Sequence, residues 1–222
     1  MQTEAGRVAL VAGANGMVGG ELLRALAASG DYRRVIALTR RPLPFEAPRL
    51  VNRIIRFENI ATDLRGLACD DAYCCLGTTI KVAGSEAAFR AVDFDAVLAF
   101  ARAAHAAGVR RFAVVSALGA SKTSGVFYNR VKGEMEAALA GIGFDSLVIA
   151  RPSLLAGDRG RLGQPVRAGE RIGLWLTAPF GALIPKSVRP IKADTVAGGM
   201  IKALAQARPG VRIVESGELQ TL

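Results

Sequence analysis

The strongest constraint on this chain is a run of six apolar or β-branched-rich residues, Arg7-Val-Ala-Leu-Val-Ala12, that ends directly in Gly13-Ala-Asn-Gly16-Met-Val-Gly19. Behind the glycines, Val18, Leu22 and Leu26 recur four residues apart, the apolar stripe of a helix. A short buried strand, a glycine loop and a helix in that order predict a parallel α/β unit. Glycines allow a tight turn and let the backbone approach a pyrophosphate, whose charge then faces the helix amino terminus. With 25 glycines in the chain a glycine triplet alone carries little; the strand before it and the helix after it give it meaning. Gly13, Asn15, Gly16, Met17, Val18 and Gly19 are therefore expected at a nucleotide site, against the plainer reading of a tight turn in an ordinary α/β domain.

The alternation continues. Strands are predicted over Arg34–Thr39, Arg53–Phe57, Ala72–Gly77, Arg111–Val115, Ser146–Ala150 and Val211–Glu215. Helices are predicted over Ser85–Ala107, Tyr128–Ala140 and Ala193–Ala207. Strands alternating with helices imply a parallel sheet with right-handed crossovers. Sites in such sheets form at the carboxyl ends of strands. The Gly13 loop, Arg40, the segment Leu76-Gly77-Thr78-Thr79, Ser116 and Pro152 all fall there. Arg40 and Arg41 close the second strand, and no Asp or Glu lies between Val35 and Pro44. Guanidinium groups at that point suit a 2′-phosphate, whereas a carboxylate would grip a 2′-hydroxyl, so NADP is expected over NAD. Residues 154–188 lose periodicity, with Trp175, Leu176 and Phe180 as apolar anchors, and read as a lid or substrate region of one domain spanning 1–222.

Tyr128 and Lys132 stand four residues apart in a predicted helix, which puts phenol and ammonium on one face, about 5–6 Å apart at Cβ. A neighbouring cation favours phenolate and brings a tyrosine of ordinary pKa about 10 closer to neutrality. Carbonyl reduction needs such a proton donor beside a hydride donor. Ser116, ending the run Phe112-Ala-Val-Val-Ser116, offers a hydroxyl nearby.

The chain's 222 residues suffice for one well-buried domain. Its net charge of +10 is spread along the sequence in pairs such as Arg33-Arg34 and Arg110-Arg111, with no run of five or more. That pattern argues for a basic surface that steers an anionic cofactor, and nucleic acid is not expected as a partner. Cys69, Cys74 and Cys75 lack metal-ligand spacing, and His105 is the sole histidine, so no metal is expected and the thiols read as small buried hydrophobes. Met1 to Gly6 is polar and no uninterrupted apolar stretch of about 18 residues occurs, so a soluble cytoplasmic protein without a membrane span is expected.

Several blocks together resemble the short-chain dehydrogenase/reductase superfamily. They are the glycine loop, Cys74-Cys-Leu-Gly-Thr-Thr79, Ala83-Gly84-Ser85, Phe89 with Val92-Asp93, Val115-Ser116-Ala-Leu-Gly119-Ala120, Tyr128-Asn-Arg-Val-Lys132-Gly-Glu134 and Arg151-Pro152. The likeness is to its atypical, epimerase/dehydratase-like members, in particular the Tat-interacting oxidoreductase-like branch. It covers nearly the whole chain and implies a doubly wound Rossmann sheet of about seven parallel strands with NADP(H). It further implies Tyr128 as acid/base, Lys132 on the nicotinamide ribose and Ser116 on the substrate oxygen. The asparagine frequent in such sites has no clear counterpart; Asp93 occupies its region. The large carboxy-terminal domain of sugar-nucleotide epimerases is missing, which argues against a nucleotide-sugar substrate. The leading expectation is an NADP-dependent oxidoreductase acting on a small carbonyl or alcohol. A non-catalytic NADP-binding regulator with a protein partner, and an epimerase or dehydratase with tightly held cofactor, remain as alternatives. Monomer and homodimer are equally open.

Overall fold

A computed structural model describes residues 6–156, 185 and 187–222. Seven parallel strands lie in the order β3-β2-β1-β4-β5-β6-β9. They are β1 (Arg7–Ala12), β2 (Tyr32–Thr39), β3 (Leu50–Ile54), β4 (Asp71–Cys74), β5 (Arg111–Val115), β6 (Ser146–Arg151) and β9 (Gly210–Glu215). Strands are added outward from β1 first to one side and then to the other, so β1 and β4 flank the crevice where the strand order reverses. A two-stranded pair, β7 (Leu155–Ala156) with β8 (Ile191–Lys192), lies beyond β6. This is the parallel sheet that the alternation implied and the doubly wound architecture that the resemblance implied.

Side chains alternate across the strands and so feed two cores. Ala9 and Val11 of β1 join Leu22, Leu23 and Leu26 of α1 (Met17–Ala28) and Val196 and Met200 of α7 (Ala193–Ala205). Val8, Leu10 and Ala12 face the opposite way. They meet Ile60 of α2 (Ile60–Asp63), Phe100 and Ala104 of α5 (Val97–Ala106), and Met135 and Leu139 of α6 (Phe127–Ala140). Parallel strands covered on both faces read as continuous apolar runs, which is why β1 and β5 were legible to the residue.

Three expectations change. The third strand is Leu50–Ile54, earlier than Arg53–Phe57. Its register against β2 is set upstream, where Arg49 takes a left-handed φ of 65° and its carbonyl accepts Val35 N–H at 2.8 Å. The Ile54-Ile55 pair that suggested a strand centre instead ends it, with Ile55 buried in the core. The helix predicted over Ser85–Ala107 is α4 (Glu86–Arg90), a π-helical turn over Ala91–Ala96, and α5. The fourth strand stops at Cys74, and Cys75 to Thr79 form a loop that ends on the short α3 (Ile80–Ala83).

The lid assigned to 154–188 lies, but for Leu154–Ala156, residue 185 and residues 187–188, outside the described residues, as do Trp175, Leu176 and Phe180. His105 packs edge-on against Phe144, and its Nε2 meets Gly143 O at 3.2 Å, a structural position. Among the described residues no helix is long and apolar enough to cross a membrane, and no cluster of three potential metal ligands occurs.

At the amino ends of four strands the Asp71 carboxylate, fully buried, accepts bonds from Arg7 of β1, Tyr32 of β2 and Arg111 of β5. Tyr32 in turn meets the Tyr73 hydroxyl at 2.9 Å. The edge strands are less covered: Val51 and Ile54 on β3, and Val211 and Ile213 on β9, are exposed.

Candidate functional site

A cleft of about 730 Å³ opens at the carboxyl ends of the strands. One side is the amino terminus of α1. Gly13 takes a left-handed φ of 82°, and a Cβ there would overlap the backbone carbonyl of Cys75. Gly19 likewise leaves no room for a side chain above the Gly13 carbonyl. These two close approaches seat the turn, with Gly16 N–H donating to Gly13 O at 3.0 Å. No side chain caps α1 and its first turn holds no acidic residue, so backbone N–H groups at its start face the cleft uncontested. A bare, positively poled helix start beside a wide cleft suits a dinucleotide's pyrophosphate.

Of the residues singled out by sequence, Gly16, Met17, Val18, Leu76, Gly77, Thr78, Thr79 and Pro152 line this cleft. So do Ser116, Tyr128 and Lys132. Gly13 and Gly19 sit behind its wall as the packing of the turn. Asn15, Arg40 and Arg41 are solvent-exposed and form none of the wall; both arginines follow β2 at its carboxyl end. The Thr79 hydroxyl accepts Val82 N–H at 3.2 Å and caps α3.

Tyr128 and Lys132 come from the first turns of α6. Tyr128 is half-buried, its ring tilted against Phe89 of α4 at 5.4 Å between centroids. Lys132 is buried, and its ammonium lies 2.8 Å from Asp93 Oδ1. At that distance the two charges form a buried ion pair. The other oxygen, Oδ2, accepts Thr78 N–H at 2.7 Å. Burial works against the Lys132 charge, and Asp93, with smaller help from Tyr128 and Cys74, more than offsets it; the ammonium holds its proton above the ordinary lysine range. Gly77 roofs the pair: a Cβ there would stand 3.3 Å from Asp93 Oδ1 and 3.8 Å from Lys132 Nζ.

Ser116 directly follows β5, its hydroxyl turned into the protein and donating to Glu136 Oε1 at 2.5 Å. Glu136, one α6 turn past Lys132, also receives Arg151 Nε at 3.0 Å and Arg151 Nη2 at 2.6 Å. Arg151 reaches on to Glu215 at 3.1 Å. The proton-donating role expected of Ser116 toward a substrate oxygen thus competes with Glu136, and toward the cleft the hydroxyl presents lone pairs.

Sequence reasoning did not connect Asp93 with Lys132, nor Glu136 and Arg151 with Ser116. Val92-Asp93 and Arg151-Pro152 stood among the resembling blocks, but only three-dimensional packing joins them to their partners.

A family model described as NAD(P)H-binding matches residues 13–171. The chain is 36% identical to protein HTATIP2 of Rattus norvegicus over 183 residues, covering 80% of this chain and 71% of that protein. It is 32% identical to the protein FMP52, mitochondrial, of Eremothecium gossypii over 219 residues, 96% of each. Among solved structures, MoeE5 in complex with UDP-glucose and NAD superposes with a TM-score of 0.68 at 19% identity, over 95% of this chain and 79% of that one, a likeness of fold. The fungal relatives overturn one expectation. FMP52 proteins from several fungi are named as mitochondrial, against the cytoplasmic location read from the polar start of the chain. A polar start bears on secretory signals, whereas mitochondrial addresses follow other, arginine-rich rules.

Proposed function

The chain belongs to the NAD(P)H-binding family, as an atypical short-chain dehydrogenase/reductase of the HTATIP2 branch, and from that membership we propose that it is an NADP-dependent oxidoreductase acting on a small carbonyl or alcohol. The observation that carries this reading is that Tyr128, Lys132 and the bare start of α1 share one cleft. A protein that merely sensed a nucleotide would need the glycine turn alone.

The bound nicotinamide supplies or takes up the hydride. Tyr128 gives its phenolic proton to the carbonyl oxygen in reduction and takes a proton from the alcohol in oxidation. Lys132 stabilises negative charge on that phenol and offers its N–H groups to the ribose hydroxyls. Ser116, tied to Glu136, borders the reacting oxygen and either accepts from an alcohol or turns its hydroxyl to a developing oxyanion. Gly13, Gly16, Met17, Val18 and Gly19 hold the pyrophosphate, with Asn15 at the rim of the turn. Leu76, Gly77, Thr78, Thr79 and Pro152 border the nicotinamide half. Arg40 and Arg41, free to reach past the end of β2, take the 2′-phosphate. One domain spanning 1–222, with 154–188 as its substrate or lid region, completes the proposal.

The test is turnover of NADPH against a panel of aldehydes and ketones. Tyr128→Phe is expected to lower kcat/KM about 10²–10⁴-fold with cofactor affinity retained. Wild-type turnover in that variant removes the phenol from the mechanism. Tighter binding of NADH than NADPH, or an Arg40→Ala/Arg41→Ala variant with undiminished NADPH affinity, removes the NADP assignment.

A further inference from the structure

Lys132 is a buried cation with, among the described residues, one anionic partner at hand. An isolated ammonium in such a place tends to shed its proton, since desolvation disfavours the charged form. Lys132 is 4% exposed at its side chain and Asp93 1%. Asp93 cannot drift away, because Thr78 N–H holds its second oxygen and the π-helical turn over Ala91–Ala96 aims it inward. π-turns inside helices recur where a functional side chain must be re-aimed. A regular helix through Ala91–Ala96 would rotate residue 93 relative to the residues after it. Gly77 leaves room for the pair beneath the cleft floor.

We infer that Asp93 is a positioning residue, the fixed counter-ion that keeps Lys132 charged beneath the cleft while satisfying the loop after β4. Its effect on chemistry rests on the oxidoreductase reading; its effect on Lys132 does not. Among the described residues the groups around the pair bring no substitute charge. Tyr128 stands one turn earlier on α6, and the Cys74 thiol of β4, pushed up to about 12 by burial, stays neutral. The Arg90–Glu134 pair at 2.5 Å joins α4 to α6 but is partly exposed and internally balanced. Asp95 of the same π-turn points to solvent. Among the described residues Asp93 is therefore the main answer to the Lys132 charge.

The experiment follows the ¹³Cε resonance of Lys132 with pH in selectively labelled protein, assigned by its loss in Lys132→Gln. In the wild type it stays in the charged position through pH about 10. Asp93→Asn keeps an acceptor for Thr78 N–H and removes the charge, and the lysine midpoint is expected to fall by a factor of ten or more in proton affinity. An unchanged midpoint overturns the inference. If Asp93→Asn does not fold, the paired Asp93→Asn/Lys132→Gln variant decides: its folding supports the counter-ion role, and its failure overturns it. In an active enzyme, turnover of Asp93→Asn declines on the alkaline side at a lower pH than in the wild type, following the lysine midpoint. A shifted lysine in a protein that turns over no carbonyl sinks the oxidoreductase reading and leaves the counter-ion role intact.

Discussion

Gly13 holds a φ of 82° with the position of its missing Cβ occupied by Cys75. Alanine there meets two penalties, a left-handed backbone and an overlap with β4-side backbone that cannot rotate away. Together they cost about 3 kcal/mol. Gly13→Ala is thus expected to lower the denaturant midpoint and to abolish cofactor binding in whatever remains folded, both measurable by fluorescence titration. Lys132 adds a pH dependence with a definite sign. Its folded pKa lies above its unfolded value, so its stabilisation is complete below pH about 10.4 and is lost as pH rises through the folded pKa. Much of this residue-level chemistry was readable from spacing: Tyr128 and Lys132 lie four apart on one helix and reach one cleft. The Asp93 contact was not, because a one-dimensional pattern with helical periodicity gives no sign of the π-helical turn on which Asp93 sits.

Elements are joined at the two ends of the sheet by different devices. At the amino ends Asp71 gathers arginines and a tyrosine from β1, β2 and β5, with no exposure of its own. Removing the carboxylate leaves the Arg7 and Arg111 guanidiniums and the Tyr32 hydroxyl without their shared acceptor; both arginines are 31% exposed and can turn to water, so the loss is about 1–3 kcal/mol. Asp71→Ala is expected to cost stability in that range by chemical denaturation while leaving cofactor affinity of the folded protein unchanged, since the cleft lies at the other end of the strands. Glu136, by contrast, projects from α6 to hold both Ser116 at the end of β5 and Arg151 of β6. Glu136→Ala is expected to lose stability and turnover together, and equal loss from Asp71→Ala in turnover would refute the separation of the two ends. Strand β5 was legible from its five unbroken residues, whereas β3 was displaced toward Ile54 and Ile55. An edge strand is covered on one side only, so its apolar residues need not mark its centre; Asn52 does, through its side chain's bond to Thr39 Oγ1 at 2.6 Å.

Across the molecule, several neutral groups resist ionisation because they are buried. Burial raises Cys69 to about 11 and Cys74 to about 12, and pushes Tyr32 and Tyr73 well above the ordinary tyrosine range. Each is an acid whose folded pKa exceeds its unfolded one, so the unfolded chain gives up protons first as pH rises. Thermal midpoints are expected to hold level to pH about 8.5 and then fall steadily, thiols first and phenols from about 10. A midpoint that stays level to pH 10.5 contradicts the buried, neutral assignment of these side chains.

The rims of the sheet carry a colloidal consequence. Among the described residues β3 and β9 are each paired on one side only, and their exposed aliphatic residues border free edges open to backbone pairing with another copy. With a net charge of +10, like-sign repulsion between approaching molecules opposes that contact at long range. Added electrolyte shortens the reach of this repulsion to about 3 Å near 1 M. Purified protein is therefore expected to stay dispersed in dilute buffer and to self-associate as sodium chloride rises, a trend that light scattering would follow.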